Sequence, residues 1–283
     1  MKLVRYGAQG EERPGVLDPQ GRIRDLSSLV RDVAGDALLP SALSRLAAAD
    51  IERLPLVAGR PRLGPCVGQV GKLVCIGLNY SDHAVEAGMP IPREPVVFLK
   101  ATSAISGPND AVEIPPGAQK VDWEVELGVV VGTPGRYITK VNALSHVAGY
   151  CVVNDVSERA YQLERGGMWD KGKGCDTFAP LGPWLVTRDD VPNVQALDLW
   201  LEVDGKRFQT GNTRTMIFDV ATLVSYVSQF MSLQSGDVIA TGTPPGVGMG
   251  QKPAPVYLRA GQSMRLGIAG LGEQVQRAAA SPH

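Results

Sequence analysis

The stretch Asp122-Trp123-Glu124-Val125-Glu126-Leu127-Gly128-Val129-Val130-Val131 carries two acids straight into an unbroken apolar run. The run is short and β-branched and reads as a strand, in which Glu124 and Glu126 point to one face. Two carboxylates side by side on an apolar element repel each other and are costly to desolvate unless a cation lies between them. A solvated edge strand with an acidic outer face is the alternative, and this segment alone leaves both open. A third acid shifts the balance. Asp155 closes a second apolar run, Gly149-Tyr150-Cys151-Val152-Val153, within Asn154-Asp155-Val156-Ser157. Three carboxylates with positions free for water and substrate match Mg²⁺ or Mn²⁺, and the chain offers neither the imidazole nor the thiolate spacing of a zinc site. Glu124, Glu126 and Asp155 are therefore candidate metal ligands.

The texture around this stretch sets the fold class. Short β-branched runs at 73–76, 96–99, 125–131, 150–153, 199–203 and 237–240 alternate with Gly/Pro turns, the signature of a β-rich region. The clearest helical pattern runs from 218 to 230, with Val220, Leu223, Val224, Val227 and Phe230 on one face. Strands this short and apolar, joined by long glycine-containing turns, suit an α+β, β-rich mixed sheet roll or sandwich better than a doubly wound sheet. Residues 1–70 read as a small N-terminal α/β domain. They start with a strand, turn at Asp18-Pro19-Gln20-Gly21, continue helix-like from Leu26 to Leu46 with a break at Pro40, and end in a Pro/Gly-rich linker. Residues 71–283 form the catalytic domain of this reading.

A second constellation follows the strand at 73–76: Gly77-Leu78-Asn79-Tyr80-Ser81-Asp82-His83-Ala84-Val85-Glu86-Ala87-Gly88. His83 and Glu86, three apart, meet on one helical turn, and a glutamate that orients an imidazole makes a general base able to activate water. A capped surface helix with an incidental histidine is the plainer reading. The chain has only His83, His146 and His283 to choose from, and His146 has no acid at helical spacing. Two glycine-rich loops, 170–183 with Lys173 and 241–248 with its threonines, allow close backbone approach to a ligand. A lysine there can stabilise enolate or carboxylate charge. The segment from about Asn79 to Pro92 reads as a lid that orders over bound ligand. Cys66, Cys75, Cys151 and Cys175 lack metal spacing and read as reduced thiols.

Bulk properties narrow the function classes. The 283 residues suffice for a well-buried core, and no repeat is visible. A formal charge of -1 without a basic stripe argues against nucleic acid. No stretch approaches the roughly 20 apolar residues of a membrane span, and Met1-Lys2-Leu3-Val4-Arg5-Tyr6 is unlike a signal peptide, so the expected location is the cytoplasm.

Together these segments resemble the fumarylacetoacetate hydrolase family, from about residue 72 to 270. The shared features are the paired glutamates with a later Asp, the His and Glu of the first loop, a Lys before a Thr-containing loop (Lys173, Thr177), and the loop Thr241-Gly242-Thr243-Pro244-Pro245-Gly246-Val247-Gly248. The resemblance implies a mixed β-sandwich roll, Mg²⁺ or Mn²⁺, a homodimer, and a small keto acid substrate. It implies catalysis by His83, Glu86 and Lys173, and substrate contacts from Asn79, Tyr80, Lys100, Arg159, Thr177 and Thr243. Leu78 stands where smaller members often carry Arg, and Arg159 is a candidate to supply that charge. Within the family, the chain is similar to bacterial hydrolases of 2,4-diketo-3-deoxy-L-fuconate or -rhamnonate, which release pyruvate and lactate. Ureidoglycolate lyase, and keto acid decarboxylase or isomerase, are the alternatives the resemblance implies. A binding protein without catalysis has no use for a base such as His83, and phosphate ester hydrolysis lacks a second acid cluster and an Arg clamp.

Overall fold

The computed structural model describes residues 1–86 and 88–282; Ala87, in the expected lid, and His283 lie outside the described residues. Three strands open the chain: β1 (Lys2–Tyr6), β2 (Arg13–Leu17) and β3 (Ile23–Asp25). Next come helix α1 (Pro40–Ala47), β4 (Leu73–Gly77), α2 (Ser81–Glu86) and β5 (Val96–Lys100). Three short strands follow, β6 (Ile105–Ser106), β7 (Val112–Ile114) and β8 (Val121–Asp122), before the long β9 (Val125–Val131) and β10 (Val147–Asn154). The remaining elements are β11 (Ser157–Glu158), α3 (Arg159–Leu163), α4 (Asp170–Lys173), β12 (Ala179–Thr187), β13 (Asp198–Val203), β14 (Lys206–Asn212), α5 (Val220–Val227), β15 (Val238–Ala240), β16 (Ser263–Ile268) and β17 (Gly272–Ala280).

The expected β-rich architecture is the one observed. A ten-stranded mixed sheet runs β3-β2-β1-β12-β10-β9-β15-β4-β5, with β6 beside β12, and a five-stranded sheet runs β14-β13-β16-β17-β7. The second sheet lies over the first, β16 and β17 against β10, and β13 and β16 against β9. Every residue of β9 and β10 is consequently buried, which is why both read as continuous apolar runs. Residues 1–25 add β1–β3 to the large sheet through the antiparallel β1–β12 pairing, so the N-terminal segment shares a sheet with the rest of the chain.

Two local expectations change. Pro40 does not break a helix over 26–46. It occupies the first turn of α1, where a missing N–H costs nothing and its fixed φ suits helix entry. The 218–230 pattern shortens to Val220–Val227, because Asp219 caps it by accepting from the Thr222 N–H at 2.7 Å. Phe230 is exposed.

Sheet register positions the site. In the β9–β10 pair Glu126 lies opposite Val153 and Val125 opposite Asn154, so the chain leaving β10 passes beside Glu124. The Asp155 N–H donates to the Glu124 carbonyl at 2.9 Å. On the other flank β15 pairs with β9, and the 241–250 loop leaves its end. β4 runs parallel to β15 and therefore delivers the 78–86 segment to the same edge.

Candidate active site

Carboxylate oxygens of Glu124, Glu126 and Asp155, all buried, lie within 4.8 Å of one another. The burial is strand-made for Glu126; Glu124 sits one residue before β9 and is held by its N–H to Asn154 Oδ1, 3.2 Å. Cations compensate two of the three acids. Lys173 Nζ donates to Glu124 Oε2 and to Asp155 Oδ2, both at 2.8 Å. Lys100 Nζ donates to Asp155 Oδ1 at 2.6 Å, and the Arg159 guanidinium lies 2.6 Å from Glu124 Oε1. Burial works to raise the Glu124 carboxyl, but Lys173 and Arg159 overcome it and hold it at about 2.

Glu126 is different. It accepts from the Gly242 N–H at 2.8 Å and has no cationic partner among the described residues. Burial and the neighbouring Asp155 and Glu124 charges push its carboxyl well above the usual range. An all-oxygen set with one uncompensated buried acid fits a hard divalent cation. Burial would lower the Lys173 ammonium, yet Asp155 and Glu124 raise it instead, so Lys173 stays charged beside that set.

Glu124 and Glu126 floor a cavity of about 460 Å³, with Asp155 buried directly beneath them. His83 and Glu86 line it, with His83 Nδ1 3.0 Å from Glu86 Oε2. Glu86 also accepts from the Gly246 N–H at 2.9 Å, which ties the α2 turn to the 241–250 loop. Gly246 has φ +105, and a Cβ there would collide with the Phe208 carbonyl, so glycine is required for this contact. His146 is elsewhere, its Nδ1 2.9 Å from the Thr133 carbonyl oxygen.

Of the expected substrate contacts, Arg159 and Thr243 line the cavity. Arg159 spends its donors on Asp122, Glu124 and Gln162, which leaves about one N–H for a ligand. Asn79 is buried and bonds to Phe218 and Thr241 backbone groups, holding the first loop against β15. Lys100 is buried behind Asp155. Thr177 accepts from the Glu113 N–H at 2.8 Å and is not part of the lining. Tyr80 is buried with its hydroxyl unpartnered, raised by burial and by the Glu126 and Asp82 charges. The lid segment is pinned at its start, where Tyr80 and Ala84 are buried, and open further on, where Val85, Met89 and Ile91 are exposed.

Three contributors escape a reading of the sequence. Asp122 accepts from the Gly248 N–H at 2.6 Å and from Arg159 Nε at 2.8 Å, joining loop to guanidinium; it stands two residues before Glu124, but no spacing pattern assigns its side chain a partner. Phe98 and Trp169 line the cavity with ring centroids 5.4 Å apart, and no spacing rule connects residues 71 positions apart.

The fumarylacetoacetate (FAA) hydrolase C-terminal family matches residues 72–278. The chain belongs to the fumarylacetoacetate hydrolase family. A relative from Burkholderia multivorans, whose name goes no further than a provisional hydrolase, is 68% identical over 276 residues, 98% of each chain. The fumarylacetoacetate hydrolase from Exiguobacterium antarcticum is 34% identical with a TM-score of 0.84 over 99% of both chains. The maleylpyruvate hydrolase from Sphingobium sp. SYK-6, solved with manganese(II) and pyruvate, is 29% identical with a TM-score of 0.82 over 99% of both chains. The match to family structures thus covers nearly the whole chain, and its buried acid triad fits a divalent metal such as the manganese(II) of the Sphingobium neighbour.

Proposed function

We propose that the chain hydrolyses the C3–C4 bond of a 2,4-diketo acid, releasing pyruvate, with Mg²⁺ or Mn²⁺ held by Glu124, Glu126 and Asp155. The observation that carries this reading is that a buried acid triad, whose cavity-lining member Glu126 has no cationic partner among the described residues, shares one cavity with the His83–Glu86 dyad. The manganese and pyruvate in the name of the Sphingobium neighbour support the choice of metal and product.

When bound, the cation supplies Lewis-acid polarisation of the 2-oxo acid end. Glu86 holds His83 by Nδ1, leaving Nε2 to take a proton from water. The resulting hydroxide oxygen adds to C4, the C3–C4 bond breaks, and its electron pair passes to the pyruvate enolate. Lys173 and the remaining Arg159 N–H hold negative charge on the 2-oxo acid fragment. His83 then returns its proton to C3, so one water and one diketo acid give pyruvate and a carboxylic acid.

Similarity to the deoxy-sugar-acid hydrolases supports 2,4-diketo-3-deoxy-L-fuconate or -rhamnonate as the substrate, with lactate as the second product. The test is pyruvate release from this diketo acid, with ureidoglycolate alongside, at saturating Mg²⁺ and after chelation. Metal-dependent pyruvate with equimolar lactate supports the reading. Glyoxylate and urea from ureidoglycolate, or carbon dioxide without a second acid, would replace it with the lyase or decarboxylase alternative.

A further inference from the structure

Beyond the charged floor, the cavity is walled by Leu78, Val96, Phe98, Leu163, Trp169 and Met249. Two of these are held there at structural cost or by purpose-made space. Leu78 has φ +50, a left-handed conformation that glycine or asparagine adopts far more readily than leucine. Gly77, its neighbour at the end of β4, leaves the room that Trp169 fills: a Cβ there would come within 2.5 Å of the indole ring. Trp169 stacks edge-on against Phe98 and its carbonyl accepts from the Lys173 N–H at 3.1 Å. Lys173 Nζ lies 5.2 Å from the Phe98 ring centroid, so the apolar wall begins where the charged floor ends.

The cavity's cations tell the same story. Lys173 and Arg159 give most of their donors to carboxylates of the protein, the 2-oxo acid end takes what remains in the reading above, and the third lining cation, Lys252, is an exposed residue of the rim. A second carboxylate, or several hydroxyls, entering between Trp169 and Leu78 would lose hydration against groups that cannot hydrogen-bond it.

Resting on the diketo acid reading above, we propose that Leu78, Phe98 and Trp169 form an acyl pocket that selects substrates whose fragment beyond C4 is apolar and uncharged. A deoxy terminus with its methyl group meets this requirement at the small end, and longer alkyl chains meet it better. Dicarboxylate diketo acids do not meet it.

The experiment compares kcat/KM at saturating Mg²⁺ for acylpyruvates bearing acetyl, butanoyl, hexanoyl and 3-carboxyacryloyl groups. The proposal expects a gain of roughly tenfold for each two carbons added, from the burial of methylene groups, and the dicarboxylate at least tenfold below the hexanoyl substrate. Trp169→Ala should cut the gain per two carbons to about threefold, and Leu78→Arg should reverse the order of hexanoyl and dicarboxylate. A flat alkyl series, or a parent protein that prefers the dicarboxylate, overturns the acyl pocket. Should no acylpyruvate release pyruvate, the hydrolase reading fails separately. Calorimetric binding of pyruvate, 2-oxohexanoate and 2-oxooctanoate with Mg²⁺ then decides the pocket, supported by affinity that rises with chain length in the parent and less in Trp169→Ala, and overturned by equal affinities.

Discussion

Among the described residues Glu126 differs from its two partners in having no cation to answer its charge, and its replacement should have opposite effects on the empty and the loaded protein. Glu126→Gln relieves repulsion from Asp155 and Glu124, so the metal-free protein should melt at the same temperature or higher. The stabilisation that Mg²⁺ gives the parent, about 2.7 kcal/mol at a hundredfold excess over Kd, should vanish; thermal melts with and without metal read both. The His83–Glu86 contact of 3.0 Å predicts a unit. His83→Ala and Glu86→Gln should each lower turnover by roughly 10² to 10⁴ with metal affinity kept, and the double variant should be little worse than either. A steady-state comparison giving additive losses would separate their roles. Lys100 belongs to a different class: it is buried behind Asp155, which keeps Lys173 as a second partner, and Lys100→Met should cost about 1.5 to 3 kcal/mol in urea unfolding by removing one charge-assisted hydrogen bond from a buried carboxylate. The acid triad and the dyad could be read from residue type and spacing, because both are local or end adjacent strands. Lys100 as a partner of Asp155 could not, since which buried acid a lysine meets is decided by β5 lying beyond β4 in the sheet.

At the scale of elements, the cavity is assembled by three segments leaving one edge of the large sheet, and the Gly246 N–H to Glu86 contact is where two of them meet. Gly246→Ala should fail to reproduce it, because the backbone has φ +105 and the added carbon meets Phe208. Activity should fall with the loss of Glu86's anchor, and hydrogen exchange should quicken in both α2 and the 241–250 loop. Quickening in the loop alone would mean α2 is held by other contacts. Strand positions were legible because apolar runs of that length mark buried strands, and α5 because its face repeats at helical spacing. Helix limits were not, since the Pro40 and Asp219 side chains decide them through single-residue geometry that periodicity does not register.

The whole molecule joins a charged floor to an apolar wall by laying a five-stranded sheet over a ten-stranded one, which leaves β9 and β10 dry along their length and forces their terminal acids together. The resemblance implies a homodimer, and sedimentation should give a particle of twice the chain mass; a single-chain particle with full activity would remove the dimer from the account. No helix among the described residues is long and apolar enough to cross a membrane. The family was legible in the sequence because its motifs sit on loops at one sheet edge, while the acyl wall drawn from Leu78, Phe98 and Trp169 was not, because apolar residues carry no chemical label until the fold gathers them. The central claim is that metal-assisted water attack breaks the C–C bond of a diketo acid. It is tested most directly by running the reaction in H₂¹⁸O with a metal titration. The account predicts one ¹⁸O in each molecule of released carboxylic acid, formed in step with pyruvate and only when divalent metal is present. An acid fragment without the label, or an undiminished rate after complete chelation, would contradict it.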